Sequence, residues 1–386
     1  MRKVGVEEEL MLVDPLTGEL AAVSHRVLKA GRLQSAAGHP DESDPVESEP
    51  QKSAGFEAIE QEIFLQQLET ATAPCTELSE VAVEIRRCRA VAAAAAQAAG
   101  VEVVASGTPV LGGFELTVTP KPRYRLIYDQ SGEIGRHALA CGMHVHVDVA
   151  DDEEGVGVLD RIRPWLPVLL AVSANSPYAE GQDSGFASWR SQVWGRWPTA
   201  GPTEAFGDAA TYHQTADALV ETGAALDRGM LYYDARLSES YATVEVRVAD
   251  VCTEIEDTVL LVALSRGLVE TAARSFRAGD PAPRWRSDVL RAANWRSAHS
   301  GLADSLVHPA QRRLRPAREV VEDLIEHVSD ALDEAGDLEQ VRAGFEKLLA
   351  RGAGASRQRA VAEAAGGDLR VVVMDLVRRT QAAEPA

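Results

Sequence analysis

Three segments of this 386-residue chain set charged or imidazole side chains at alternate positions, the spacing that puts them on one face of a β-strand. In VGVEEELMLV (4–13), Glu7 and Glu9 share a face with Gly5 and Met11, and Val4, Val6, Leu10 and Leu12 take the other, with Glu8 as its odd member. In CGMHVHVDV (141–149), His144, His146 and Asp148 oppose Val145, Val147 and Val149; in 242–251, Glu245 and Arg247 oppose Val244, Val246 and Val248. A fourth segment, EIFLQQLETAT (62–72), is less regular: Gln67 and Glu69 share parity, and Glu62 joins them only through a bulge or a turn. Each pattern alone also fits a solvated sheet face. Together they carry Glu, His and Arg where solvated faces carry Lys, Thr and Ser. On neighbouring strands these carboxylates would converge, which repulsion disfavours unless cations bind among them. Carboxylates with one His suit Mg²⁺ or Mn²⁺ better than Zn²⁺. A zinc hydrolase would need further ligands, and His25, His39, His299, His308 and His327 lie in no comparable pattern.

The elements that must position these groups read as strands at 4–13, 101–105, 141–149, 230–237 and 242–251, and as helices at 77–99, 158–175 and 209–226. From 254 onward the chain reads as mostly helical, with breaks at Pro281, Pro283, Pro309 and Pro316. Residues 31–56 have loop composition, 106–140 give no clear pattern, and 176–208 form a long irregular stretch with Trp189, Trp194 and Trp197. The tryptophans are expected to anchor that stretch. This order predicts an α+β fold, a mainly antiparallel sheet with helices on its outer side and a helical C-terminal third. One domain is expected over 1–386, with a sheet-rich core at 1–252 and a helical portion at 253–386 packed on it.

Composition narrows the partners. Lys plus Arg is 39 and Asp plus Glu is 59, a net charge of −20 that disfavours nucleic acid and anionic membrane surfaces. The apolar run Trp165–Val172 is short and broken by Pro167, so no membrane span is expected. MRKVGVEEEL lacks the apolar core of a signal peptide, and Cys75, Cys88, Cys141 and Cys252 form no CxxC pair; a cytoplasmic protein with reduced thiols is expected. Parity puts Cys141 on the apolar face with Val145. GxGxxG, Walker A, HExxH and GxSxG motifs are all missing, so arginine must supply most of the charge for any nucleotide.

The same segments, in order, resemble the carboxylate–amine ligase family related to type 2 glutamate–cysteine ligases. GVEEE (5–9) looks like its opening strand, Glu62, Glu69 and Thr72 are spaced like its E-x6-E-x2-T element, and GMHVHVDV (142–149) is similar to its GxHVHV strand. SANSPYAEGQDSGFASWRSQVWGRWPTAG (173–201) and YYDARLSESYATVEVRVADV (232–251) resemble its two remaining motifs, so the likeness runs from residue 4 to about 270. The resemblance implies a curved antiparallel sheet like the glutamine synthetase catalytic domain, holding ATP and Mg²⁺ on its concave face. It implies an ATP-dependent ligase that phosphorylates a carboxylate, commonly the γ-carboxylate of glutamate, before an amine such as that of cysteine displaces phosphate. By family pattern Glu7, Glu9, Glu62, Glu69, His144 and Glu245 match metal positions, and Arg247 a phosphate or substrate position, with Arg247 and Glu245 as the catalytic pair. His146, Arg190 and Arg196 join Arg247 as candidates for substrate or phosphate binding; Arg190 and Arg196 equally suit surface arginines. Amino-acid substrates, ATP and homo-oligomeric assembly are the partners the resemblance implies. A guanidino kinase-like phosphotransferase and a non-catalytic nucleotide- or metal-binding protein are the alternatives.

Overall fold

A computed structural model describes residues 1–37 and 59–381. Seven strands form one open antiparallel sheet: β1 (Val4–Val13), β2 (Ile59–Gln61), β3 (Gln67–Ala71), β4 (Glu102–Val104), β5 (Gly142–Asp148), β8 (Ala235–Leu237) and β9 (Thr243–Asp250). The short strands β6 (Tyr178–Ala179) and β7 (Gln182–Asp183) make a separate hairpin. The sheet order is β2-β3-β1-β5-β9-β8, with β4 also pairing β1. Register then decides which side chains meet. Glu9 lies opposite Glu69, Glu7 opposite His144, and His146 opposite Glu245. Directly opposed residues sit within side-chain reach, so the strand faces read from the sequence become one surface.

The helices are α1 (Ser24–Ala37), α2 (Leu78–Ala98), α3 (Pro122–Ser131), α4 (Glu133–Arg136), α5 (Asp152–Ile162), α6 (Leu166–Ser173), α7 (Arg190–Trp194), α8 (Ala209–Glu221), α9 (Ile255–Arg277) and α10 (Ser287–Ser300). The C-terminal end adds α11 (Ala317–His327), α12 (Ser329–Glu334), α13 (Leu338–Arg351), α14 (Gly354–Ala364) and α15 (Leu369–Thr380). Val4, Val6, Val145, Val147, Val244 and Val246 all turn away from the charged face into one large core cluster. There they meet the apolar sides of α5, α6 and α9. No described helix is long and apolar enough to cross a membrane.

Several boundaries differ from the sequence expectations, each for a local reason. The helix expected at 158–175 is two helices, joined by a 3-10 turn over Arg163–Trp165. The first starts early because the Asp151 carboxylate caps it, accepting from Glu154 N at 2.8 Å. The strand expected at 230–237 shrinks to β8, preceded by a 3-10 turn at Arg228–Met230. The loop expected at 31–56 begins as the end of α1, and residues 38–56 lie outside the described residues, as does the acidic stretch 39–49. Within 106–140 Pro122 occupies the first turn of α3, where its missing N–H costs nothing.

Glu8, the odd member of its face, has a structural partner. Its carboxylate receives Arg89 of α2 in a two-point ion pair, Nε to Oε2 at 2.8 Å and Nη2 to Oε1 at 2.7 Å, and both side chains are 2% exposed. The same guanidinium donates to the carbonyls of Thr253 and Cys252, each at 2.6 Å, so it ties β1, α2 and the approach to α9 together. Breaking a buried pair from one side strands the other charge, at about 3–5 kcal/mol. Glu8→Leu and Arg89→Met are each expected to lose about that much in chemical denaturation, and the double variant is expected to recover most of it. All four cysteines are buried and unbridged. Burial pushes the Cys88 thiol up to about 11 and raises Cys141 and Cys252 as well. A thiol-reactive chromogenic disulfide is expected to titrate none of them in the native protein and all of them in denaturant.

Candidate active site

The charged face is built from four adjacent strands. Glu7 and Glu9 come from β1, Glu69 from β3, His144 and His146 from β5, and Glu245 and Arg247 from β9. Glu62 follows β2 directly, and the turn to β3 folds it back against Glu69. That turn is held by Thr119, whose Oγ1 donates to the Glu62 carbonyl at 2.6 Å and whose N–H donates to the Ile63 carbonyl at 2.8 Å. Glu62 is therefore on the face despite its parity, by the turn that the sequence reading required. Thr72 closes the far end of β3 by accepting from Val6 N at 3.0 Å, a role in register rather than chemistry.

Three groups of ligand-type atoms follow along this face: Glu9–Glu62–Glu69, Glu7–Glu69–His144 and Glu7–His146–Glu245. Within each group one atom per residue lies within 4.8 Å of the others. Glu69 belongs to the first two groups and Glu7 to the last two, so the run is continuous. His144 Nδ1 is 3.1 Å from Glu7 Oε2, and His146 Nδ1 is 3.0 Å from Thr243 Oγ1. The Nε2 atoms of both histidines are buried without a hydrogen-bond partner. The carboxylate oxygens are the ligands that a hard divalent cation takes, and the unpartnered imidazole nitrogens extend that donor set. His146, expected at a substrate or phosphate, thus stands among the ligand-type groups.

Charge divides the face in two. On the β2–β3–β1 side, burial raises Glu69 well above the usual carboxylate range, and Glu62, Glu7 and Glu9 push it further. Burial likewise raises Glu9 and Glu62. On the β5–β9 side burial works in the same direction but loses. Arg247 and Arg236 hold Glu245 far below its usual range, and His144 and His146 do the same for Glu7. Burial and the nearby Arg247 push His144 down to about 4, so its ring is neutral at physiological pH. Arg247 pairs with Glu245 through Nη1, and Arg236 Nε reaches Glu245 Oε2 at 2.7 Å. Arg236, in β8, was missed in the sequence; its signal was alternation with buried Ala235 and Leu237.

Arg190 is no surface arginine. It is 2% exposed, and its guanidinium lies over Gly142, where any Cβ would overlap it. Its Nη2 donates to the Arg247 carbonyl at 3.3 Å and its guanidinium carbon sits 5.5 Å from the centre of the Trp194 ring. It forms no ion pair among the described residues, and its charge acts on Glu9, whose Oε2 accepts from Gly142 N at 2.5 Å. Arg196 is exposed. With Arg190 and Arg247 it lines a cavity of about 310 Å³ beside the charged face, together with Asp234, Arg291 and Asn294. Burial pushes Asp234 up to about 6. Arg291 and Asn294 belong to α10, beyond the reach of any sequence motif.

The segment carrying Arg190 hangs from one residue. Asp250 accepts from Asn175 N at 2.8 Å, Ser176 Oγ at 2.7 Å and Ser188 Oγ at 2.8 Å, all while fully buried. Trp194 and Trp197 pack on Tyr232, with ring centres 4.6 and 5.3 Å away, which anchors the following turn. One expectation fails here. Cys141 precedes β5, so strand parity does not apply to it. Its sulfur turns from Val145 toward the charged face, accepts from Gln67 Nε2 at 3.4 Å and feels the Glu9 charge.

Comparison with known proteins agrees with this architecture. The family model for glutamate-cysteine ligase family 2 (GCS2) matches residues 3–375. A protein of Nocardioides sp., provisionally named glutamate–cysteine ligase 2-1, is 50% identical over 99% of this chain and 97% of its own. A Streptomyces coelicolor relative provisionally named glutamate–cysteine ligase 2 is 49% identical over 99% of this chain and all of its own. Among solved structures, glutamate–cysteine ligase of Francisella tularensis in complex with AMP superposes with a TM-score of 0.69 at 13% identity, covering 98% of this chain and 88% of that one. A bifunctional glutathione synthetase of Pasteurella multocida gives 0.66 at 15% identity, over 98% of this chain and 52% of that one. With a family model spanning nearly its whole length and relatives this close, the chain belongs to glutamate–cysteine ligase family 2, a family of ATP-dependent ligases that form C–N bonds.

Proposed function

We propose that this enzyme joins the γ-carboxylate of glutamate to the amine of an amino acid such as cysteine through an acyl phosphate. The observation that supports this reading most strongly is the continuous run of three ligand groups beside Arg247. Glu7, Glu9, Glu62, Glu69, His144 and Glu245 would hold Mg²⁺ or Mn²⁺, with His146 near enough to Glu7 and Glu245 to join them. Bound there, the ions would neutralise the charge of the triphosphate and of the transferring phosphoryl group. The chain's own groups do the rest. Arg247 presents a planar guanidinium suited to two oxygens of a phosphoryl group, and its pairing with Glu245 fixes its orientation.

The chemistry balances without a redox partner. A carboxylate oxygen attacks the γ-phosphorus, and the bond to the ADP oxygen breaks. The amine nitrogen then attacks the acyl carbon, inorganic phosphate leaves, and the nitrogen loses a proton. Both anions must approach each other in the first step, which makes charge neutralisation the main demand on the site. A neutral His144 suits this, since an unprotonated ring keeps a nitrogen lone pair with which to hold a cation among the carboxylates.

The two halves of the face predict opposite stability effects and the same catalytic effect. Glu69→Gln removes a charge that its neighbours already disfavour, so the metal-free protein is expected to melt at a higher temperature. Glu245→Gln leaves Arg247 and Arg236 without their shared carboxylate, so the metal-free protein is expected to lose about 3–5 kcal/mol. Both variants are expected to lose roughly 10²–10³ in ADP release with glutamate and cysteine, and wild-type release is expected to stop in excess chelator. Melting with and without Mg²⁺-ATP checks the same point, since the wild type gains stability from the ligand and the variants gain less. Full turnover in Glu69→Gln, or turnover in chelator, would refute the reading.

A further inference from the structure

The cavity beside Arg247 has an unusual charge count for so acidic a protein. Arg190, Arg196 and Arg291 line it, and none of the three forms an ion pair among the described residues. The one carboxylate in its wall is Asp234. Three unpaired guanidinium groups against one carboxylate describe a ligand with at least two anionic groups and one cationic group. The cationic end has a defined seat. Asn294 Nδ2 donates to Asp234 Oδ2 at 2.6 Å, Asn294 Oδ1 is buried with no partner, and the other oxygen of Asp234 accepts no hydrogen bond among the described residues. Two unused acceptor oxygens on adjoining side chains match a primary ammonium, which has three N–H donors to place. Leaving a buried acceptor unpaired is costly, so its persistence here points to a donor arriving from outside.

Backbone contacts place this seat next to the reaction. Arg247 N donates to the Asp234 carbonyl at 2.8 Å, and Asp234 N donates to the Gly201 carbonyl at 3.1 Å. Asp234 is thus locked beside the strand that carries Arg247 and against the end of the tryptophan-rich segment. A triphosphate carries no N–H donor and would leave the acceptor oxygens of Asp234 and Asn294 unmatched.

We infer that this cavity seats the acid substrate as a dicarboxylic amino acid, with Asp234 and Asn294 receiving its α-ammonium and Arg196 and Arg291 its α-carboxylate. Arg190 and Arg247 then face the distal carboxylate, the one that must meet the phosphoryl group. The inference rests on the reaction proposed above and adds the recognition of the α-amino group to it.

Glutamate and glutarate share both carboxylates and differ only in the ammonium, so their ratio of kcat/KM in ADP release reads the seat directly. The wild type is expected to favour glutamate by about ten- to hundredfold, the worth of one or two hydrogen bonds to a charged group. Asp234→Asn is expected to bring the ratio near one with little change in KM for ATP. Arg291→Gln, at an exposed position, is expected to weaken both acids alike and to keep the ratio. Should Asp234→Asn fail to fold, Asn294→Ala tests the same seat and is expected to lower the ratio. A ratio unchanged in the folded variant, or a loss confined to ATP, would overturn the assignment. Calorimetric binding of glutamate alone separates this from the reaction. Glutamate that binds wild type but not Asp234→Asn, with no ADP released by the wild type, would leave the seat standing and sink the reaction. Turnover by the wild type with glutamate bound equally by both proteins would do the reverse.

Discussion

Repulsion among buried carboxylates governs this molecule. Glu9, Glu62 and Glu69 converge where burial already disfavours their charges, and antiparallel register prevents them from moving apart. A face of this kind is stable only if the rest of the fold over-determines it. The valines behind the face do so by burying one side of β1, β5 and β9 against α5, α6 and α9. The charge stress is thereby carried by a well-packed core rather than relieved by displacement of the strands.

Arginine answers this acidity at three depths. Behind the sheet, Arg89 neutralises Glu8 and serves packing alone. On the face, Arg236 and Arg247 share Glu245 and leave the β5–β9 half close to balance. Beside the face, Arg190, Arg196 and Arg291 form no ion pair among the described residues and outnumber the one carboxylate of their cavity, Asp234. An acidic half and an arginine-rich flank thus sit within one continuous surface, although the chain as a whole carries −20.

Strand alternation made much of this legible. A two-residue period is a local property, so Glu7, Glu9, His144, His146, Glu245 and Arg247 could be assigned to one side from spacing alone. Glu62 could not, because its position depends on a turn whose geometry is set by Thr119, 57 residues away. Cys141 was misread for the complementary reason: it lies just outside β5, where alternation no longer holds. For Arg190 the sequence left a substrate clamp and a surface arginine equally open, because the space it fills is opened by the missing side chain of Gly142. Arg291 and Asn294 were invisible because α10 reaches the site only through tertiary packing, from a region with no motif of its own.

Asp250 has a consequence for how the site is reached. By holding Asn175, Ser176 and Ser188 at once, it fixes both ends of the stretch that leads to Arg190, and the β6–β7 hairpin closes the loop between them. Ordering a residue costs about 1–2 kcal/mol in backbone entropy. For this segment that cost falls on folding, not on association. The guanidinium of Arg190 is therefore rigid architecture in the cavity wall, a fixed template set by the fold and not by a loop that adapts.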